Sequence, residues 1–500
     1  MKLAAFVATT LALLSTFATA GTLTLAKSGG ALPGVTSFTL NGDPSRPYML
    51  LFHVVEQQVV VNPNVTLSIA PTYANLSAAL PGFTGLLSGT GAASLSIPVP
   101  ADPILQDITV SFQAILGPIV DTASNLVRIT FATPGTFEPT LDTPDLPVAG
   151  GVLATQPDGS VLLLGGSGPV AQKYDPRIEE FELAGATFGV GVLAQSLSLA
   201  DGRVFFSGGL GLDGQPTDAA AIYDPVTQTT TTLTMNAKRA GHAAALMPNG
   251  RVLITGGFAS FDVTDVLAFL SGVQPTSEIF DPSAQTFTNG PNMLEPRALH
   301  SATTLSNGGV LVAGGLTLLP IVNIPTVSST AYEYNPTLNT FGIPKFFSGA
   351  RMLHSAVALS DGKALLVGGL SVDFSAVLTS GDLTQIVIST LSDVQRYSPG
   401  FFGGFSSGGT LSVPRAGAGV VALPGGKALI AGGFDLILDP ITPTVNLTPS
   451  AAADLYAAPA TIAATGSMAA ARVLPLLTTL NDGTVLVVGG GPADAEVFQP

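Results

Sequence analysis

Five arginines recur at one position of an internal repeat: Arg239, Arg297, Arg351, Arg415 and Arg472. A guanidinium is a planar fork of donors, so five of them round one opening would bind a carboxylate or a cluster of sugar hydroxyls. Alternatively, each bonds neighbouring carbonyls or loop carboxylates and fixes adjacent repeats; both readings stay open at this level. Three residues further on stand His242, His300 and His354. Three imidazoles could ligate a metal, but equivalent positions in consecutive repeats hold them apart, so no metal is expected. Asp213, Asp218, Asp262, Asp265, Asp373, Asp382, Asp435 and Asp439 lie in long loops that carry no Lys or Arg. Calcium on that rim is a minor expectation, because no Asp-x-Asp-x-Asp-Gly run is present. No catalytic residue is assigned, since the chain lacks a G-x-S-x-G elbow, an H-E-x-x-H helix and a P-loop.

The elements that must position these side chains are short strands. Residues 297–315 show the unit: a strand, Ser306-Asn307-Gly308, an apolar strand at Val310–Ala313, then Gly314-Gly315. Asn-Gly suits the positive φ angles of a two-residue hairpin. The doublets recur at Gly165-Gly166, Gly208-Gly209, Gly256-Gly257, Gly314-Gly315, Gly368-Gly369, Gly432-Gly433 and Gly489-Gly490. A turn precedes each, and an aromatic follows: Tyr174, Tyr223, Phe280, Tyr334, Tyr397, Tyr456 or Phe498. A period of about fifty residues with four strands reads as a propeller blade. The fold expected is all-β, a seven-bladed propeller over 133–500 preceded by a small β-sandwich over 21–132.

Arg239-Ala-Gly-His242, Arg297-Ala-Leu-His300 and Arg351-Met-Leu-His354, with the doublets and the Tyr-Asp-Pro tripeptides, resemble the kelch family in its bacterial, galactose-oxidase-like form. The resemblance covers residues 133–500. It departs in one respect: kelch blades usually carry Trp near the fourth strand, and this chain has none. Phe181, Phe287 and Phe341 stand where that ring should be. The resemblance also implies that copper-radical chemistry is absent, because that site needs a tyrosine crosslinked to cysteine beneath a tryptophan, and the chain has neither Cys nor Trp. No cofactor is therefore expected.

The last repeat stops at Phe498-Gln499-Pro500 without a fourth strand. Gly135-Thr136-Phe137 resembles Gln285-Thr286-Phe287, so a strand near 135–140 is expected to close the ring and remove an exposed edge. Residues 1–20 read as a signal peptide: Lys2, an apolar stretch from Leu3 to Phe17, then Ala18-Thr19-Ala20. Secretion to an extracellular or periplasmic space follows, with stability from packing alone. A net charge of −15 would be repelled by nucleic acid. No mature segment is long and apolar enough to span a membrane. His53 reads as a satisfied strand histidine. Hairpin turns on one face are minimal, whereas segments 258–276, 316–330, 370–392 and 434–452 are long and share the other face. Such insertions often mark a binding face. The main expectation is a monomeric, non-enzymatic propeller that binds a glycan or extracellular polypeptide there through the five arginines. The alternative is a carbohydrate-active enzyme, an epimerase or lyase, with its site at the central channel mouth.

Overall fold

The computed structural model describes residues 23–500 except 63–64, 70–73, 119, 147–150, 166–169, 187–190, 261–271, 319–323, 376–384, 401 and 439–444. The signal-peptide residues, Asp262, Asp265, Asp382 and Asp439 lie outside the described residues. The chain is all-β in character: many small antiparallel sheets, joined by tight turns, make a propeller-like array.

The N-terminal part has two facing sheets. One is Thr24–Ser28, Gly34–Asn41 and Ala92–Val99; the other centres on Pro47–His53, Thr109–Leu116 and Val127–Thr130. Leu25, Phe38 and Leu40 from the first meet Leu50, Phe112, Leu116, Val127 and Ile129 from the second in one core. Phe38 and Phe112 lie 4.5 Å apart between ring centroids. His53 ends its strand half-buried, its Nδ1 accepting the Val55 N–H at 2.7 Å.

The repeat sheets follow in chain order. Their first two strands are Val152–Thr155 with Val161–Leu164, Gln195–Ser198 with Val204–Ser207, Ala243–Leu246 with Val252–Thr255, Ser301–Thr304 with Val310–Ala313, Ser355–Ala358 with Ala364–Val367, Gly419–Leu423 with Lys427–Ala431, and Leu476–Thr479 with Val485–Val488. Each second strand is largely apolar and, apart from Lys427, buried, because a neighbouring sheet covers each of its faces. The apolar clusters span pairs of consecutive sheets; Leu162, Leu164, Val204, Phe206 and Tyr223 join the first to the second. Another joins the last to the first, through Leu480, Leu486, Val488, Val161 and Tyr174. Phe137–Pro139 pairs antiparallel with Ala495–Phe498 as the outer strand of the last sheet. There Phe137 packs on Phe498 at 4.8 Å, as Phe181 packs on Tyr174 at 4.7 Å and Phe287 on Phe280 at 4.6 Å. The phenylalanines thus occupy the fourth-strand ring position.

The turns between first and second strands differ from the expected two-residue hairpin. In the fourth sheet, Leu305 N–H bonds Gly309 O at 2.8 Å and Gly308 N–H bonds Leu305 O at 3.0 Å. Only Gly308 has positive φ, at 84°. This is a three-residue loop with a glycine bulge. Asn307 earns its place through Oδ1, which accepts Gly309 N–H at 3.0 Å. Asp158, Asp201, Asn249, Asp361 and Asp482 accept the N–H two residues on in the same way.

Candidate functional site at the loop-side mouth

The segments after the glycine doublets form two-stranded hairpins: Leu316–Leu318 with Pro325–Val327, Leu370–Asp373 with Val387–Thr390, and Phe434–Leu438 with Val445–Pro449. Each is bridged to the turn that holds a repeat arginine, as in Ala298 with Leu316 and Ala416 with Phe434. The hairpins and the Arg-x-x-His turns therefore share one side of the array.

Every position of that tetrapeptide has a structural task. The arginine side chain ties its own sheet together. Nη1 of Arg239, Arg297, Arg351 and Arg472 donates to the carbonyl of the first doublet glycine, Gly256, Gly314, Gly368 and Gly489, at 2.6–3.0 Å. The arginine carbonyl accepts the N–H of the second doublet glycine of the preceding sheet: Gly209 from Arg239, Gly257 from Arg297, Gly315 from Arg351, Gly369 from Arg415 and Gly433 from Arg472. The third position has a left-handed backbone in Leu299, Leu353 and Leu474 at φ 51–55°, and in Gly241 and Gly417. Its N–H reaches across to the equivalent carbonyl of the preceding repeat: Gly241 to Leu193, Leu299 to Gly241, Leu353 to Leu299 and Gly417 to Leu353. A backbone hydrogen-bond chain therefore runs round part of the mouth.

The five arginines do not line an open mouth. Each is at most 1% exposed. Each is paired with a carboxylate: Arg239 with Glu278 at 3.0 Å, Arg297 with Glu295 at 2.8 Å, Arg351 with Asp393 at 2.5 Å, Arg415 with Asp454, and Arg472 with both Asp494 at 2.7 Å and Glu496 at 2.9 Å. None of these acids is one of the long-loop aspartates. Burial pulls the guanidinium pKa of Arg239, Arg297, Arg351 and Arg415 down, and the paired carboxylates oppose that shift. The ligand-binding role expected for Arg239, Arg297, Arg351, Arg415 and Arg472 is corrected accordingly: a buried charge that lost its carboxylate to bind a ligand would be left uncompensated.

The histidines close the seams between sheets. His242 Nε2 lies 2.8 Å from Ser207 Oγ, His300 Nε2 2.9 Å from Thr255 Oγ1, and His354 Nε2 2.8 Å from Ser301 Oγ. Burial, reinforced by a nearby arginine, pushes the His242 and His354 imidazoles down to about 3 and His300 well below its ordinary value. All three are neutral. The third pair differs in placement. Ser207 and Thr255 sit on second strands and are buried. In the fourth sheet that second-strand position is Ala313, and the hydroxyl has moved to the residue facing it in register, Ser301 on the first strand. Ser301 is only half-buried. The mouth's inner strands begin with other neutral residues, among them Gln195 and Ser355, and the rim carries exposed Asp213 and Asp373. Sequence reasoning weighed the histidines as metal ligands and missed their hydroxyl partners, which lie 35–53 residues away.

No protein-family model matches the chain, and no curated protein matches it in sequence. It is similar to a solved structure of a novel fungal alcohol oxidase with catalytic diversity among the AA5 family, in complex with copper. The two share 16% identity over 63% of this chain and 75% of that one, with a TM-score of 0.36. The expectation of a non-enzymatic propeller that binds a glycan or polypeptide through the five arginines is overturned, because the guanidiniums that were to hold the ligand are sealed inside their own sheets. Copper of the oxidase kind does not fit the residues present. The chain has no cysteine, the seam histidines spend Nε2 on hydroxyls, and no group of three His, Asp or Glu among the described residues is placed to hold a metal. No described helix is long and apolar enough to cross a membrane.

Proposed function

We propose that the chain is a secreted, seven-bladed kelch-type propeller with a carbohydrate-active enzyme site at the loop-side mouth of its central channel, acting as an epimerase on neutral aldoses. The reading is carried by the Ser301–His354 pair, whose hydroxyl stands on the channel-side strand with a neutral imidazole behind it. Anomeric epimerisation requires a proton to leave the anomeric hydroxyl and another to reach the ring oxygen, with no change of oxidation state. A hydroxyl backed by an imidazole can relay the first proton. An imidazole that stays unprotonated to about pH 3 is always in the base form, though a slow base by Brønsted reasoning. The substrate class follows from charge. Asp213 and Asp373 on the rim repel anionic sugars, and the buried arginines leave no guanidinium for a uronate carboxylate. That disfavours the lyase.

Polarimetry or proton NMR exchange on glucose, galactose and N-acetylglucosamine anomers tests this reading. Interconversion should exceed the buffer rate, be lost in Ser301→Ala and His354→Gln, and survive in His300→Gln, whose hydroxyl partner is buried. Absence of acceleration with all three sugars, or full activity in Ser301→Ala, refutes it.

A further inference from the structure

The third position of the repeat tetrapeptide carries a side chain that its backbone does not ask for. Leu193, Leu299, Leu353 and Leu474 stand there with φ between 51° and 62°, a left-handed backbone that glycine adopts freely and leucine only with strain. Gly241 and Gly417 hold the same position at φ 61° and 56°. Both make the seam hydrogen bond, Gly241 N–H to Leu193 O at 2.8 Å and Gly417 N–H to Leu353 O at 2.9 Å. Glycine therefore serves the seam as well as leucine does. Nor does burial offset the strain in full: Leu193, Leu299 and Leu353 are half-buried, and Leu474 is 49% exposed.

Two of these leucines flank the Ser301–His354 pair. Leu299 lies two residues before Ser301, and Leu353 lies directly before His354. Their backbones are joined, Leu353 N–H bonding Leu299 O at 3.0 Å. Leu299, Met352 and Phe374 pack on the buried cluster of Phe258, Ala298 and Leu316. Leu353 and again Met352 pack on Leu370, Ala416 and Phe434. Leu299, Met352, Leu353 and Phe374 are only partly buried. Because Met352 belongs to both groups, they form one continuous apolar shelf beside the pair.

We infer that this shelf is the specificity surface of the site proposed above and selects 6-deoxyaldoses, sugars with a methyl where an ordinary hexose has a hydroxymethyl. The inference rests on that reading of the Ser301–His354 pair. In a pyranose, C5 is joined to the anomeric carbon through the ring oxygen alone. A sugar that gives its anomeric hydroxyl to Ser301 therefore brings its C5 substituent into the same surroundings. A methyl there leaves water for the side chains of Leu299, Met352 and Leu353, which is favourable. A hydroxymethyl would lose its water against side chains that offer no donor or acceptor, which is costly. Leucines held on strained backbone and left half-exposed are then a surface kept apolar for a ligand rather than for the fold.

The test compares anomer interconversion of glucose and 6-deoxyglucose by proton NMR on the full chain, with galactose and 6-deoxygalactose as a second pair. The 6-deoxy sugar should be favoured by about tenfold in kcat/KM, the low end of what one buried group discriminates. Leu299→Gly and Leu353→Gly install the residue that two other repeats carry at this position, so both should fold, and the ratio should fall toward one. A shelf that served packing alone would change both sugars equally and leave the ratio where it was. Binding separates this inference from the reading beneath it: in Ser301→Ala, titration calorimetry should show 6-deoxyglucose bound more tightly than glucose, and adding Leu353→Gly should erase the difference. Turnover without a 6-deoxy preference supports the epimerase and overturns the shelf. A binding preference without turnover supports the shelf and overturns the epimerase. Equal binding of the two sugars, binding of neither, or an unchanged ratio in both glycine variants overturns the shelf.

Discussion

The three seam histidines should make this protein acid-sensitive well above the range where carboxylates titrate. His242, His300 and His354 are neutral and sealed in the folded chain, with His242 and His354 held at about 3, whereas the ordinary value is 6.5. A base whose folded pKa is depressed favours the folded state above its unfolded pKa, and that contribution is lost as pH falls through 6.5 toward 3. In that window the unfolded chain binds a proton per imidazole that the folded chain refuses. Each therefore removes about 1.4 kcal/mol per pH unit, and three together about 4 kcal/mol per unit. Against an ordinary domain stability of about 5–15 kcal/mol, that slope would consume most of the margin within a few pH units. Glu138 and Glu179 act with the opposite sign. Asp158, Asp175, Asp201 and Glu56 have lowered pKa values and destabilise only once pH falls below the ordinary carboxylate range. From pH 7.5 to 5.0 the lowered carboxylates are therefore silent, and the imidazoles act against Glu138 and Glu179 alone. Urea titrations at half-unit steps should show stability falling progressively below pH 6.5. His300→Gln should remove about a third of the slope, since glutamine keeps a partner for Thr255 without taking a proton. Stability unchanged between pH 7 and 5, or an unaltered slope in His300→Gln, would refute the reasoning.

Two further substitutions probe the tetrapeptide. Gly256→Ala would place a Cβ 2.2 Å from Arg297 O and 2.9 Å from His300 Cε1, on a backbone at φ +61°; the expected loss is at least about 2 kcal/mol, read as a lowered urea midpoint. Arg415→Met leaves Asp454 buried without its cation and should cost about 3–5 kcal/mol. Adding Asp454→Asn, which keeps an acceptor for Ser412, should recover most of that in the same assay.

The sheets were legible because turns and doublets are local signals. Asn307-Gly308 marks a turn whichever loop type it makes; the type was misjudged because the Asx side chain, by accepting Gly309 N–H, favours the three-residue loop. The arginines were harder. Their repeat position can be read, but which way a side chain points from a turn cannot. A signal did exist in the third strands. Glu278, Asp454 and Glu496 each stand two residues before the repeat aromatic, in strands that are otherwise largely apolar. An acid at such a position needs a buried cation. Where the acid is missing, Tyr332 receives Arg297 over its ring at 4.9 Å, and Gln395 takes the position beside Arg351 by donating to Asp393. The Ser301–His354 pair left no local trace, because its members belong to different sheets.

The substitution pattern within the repeats separates packing from chemistry. Gly208, Gly256 and Gly314 each have a histidine Cε1 2.8–2.9 Å from where a Cβ would be. At Gly432 the same space is filled by Pro475 Cγ, at 2.8 Å. Proline has no side-chain polar atom, and beside Gly368 the position holds Ala418, so packing there admits a compact ring without requiring one. Ser207 and Thr255 then satisfy a nitrogen that the packing has brought indoors. At Ser301 this account is incomplete. Packing alone could have kept the hydroxyl on Ala313, out of contact with water, as in the two preceding sheets. On the first strand it is only half-buried. Of the three imidazole–hydroxyl pairs, this is the one that seam packing does not explain, and it is the one on which the proposed site rests.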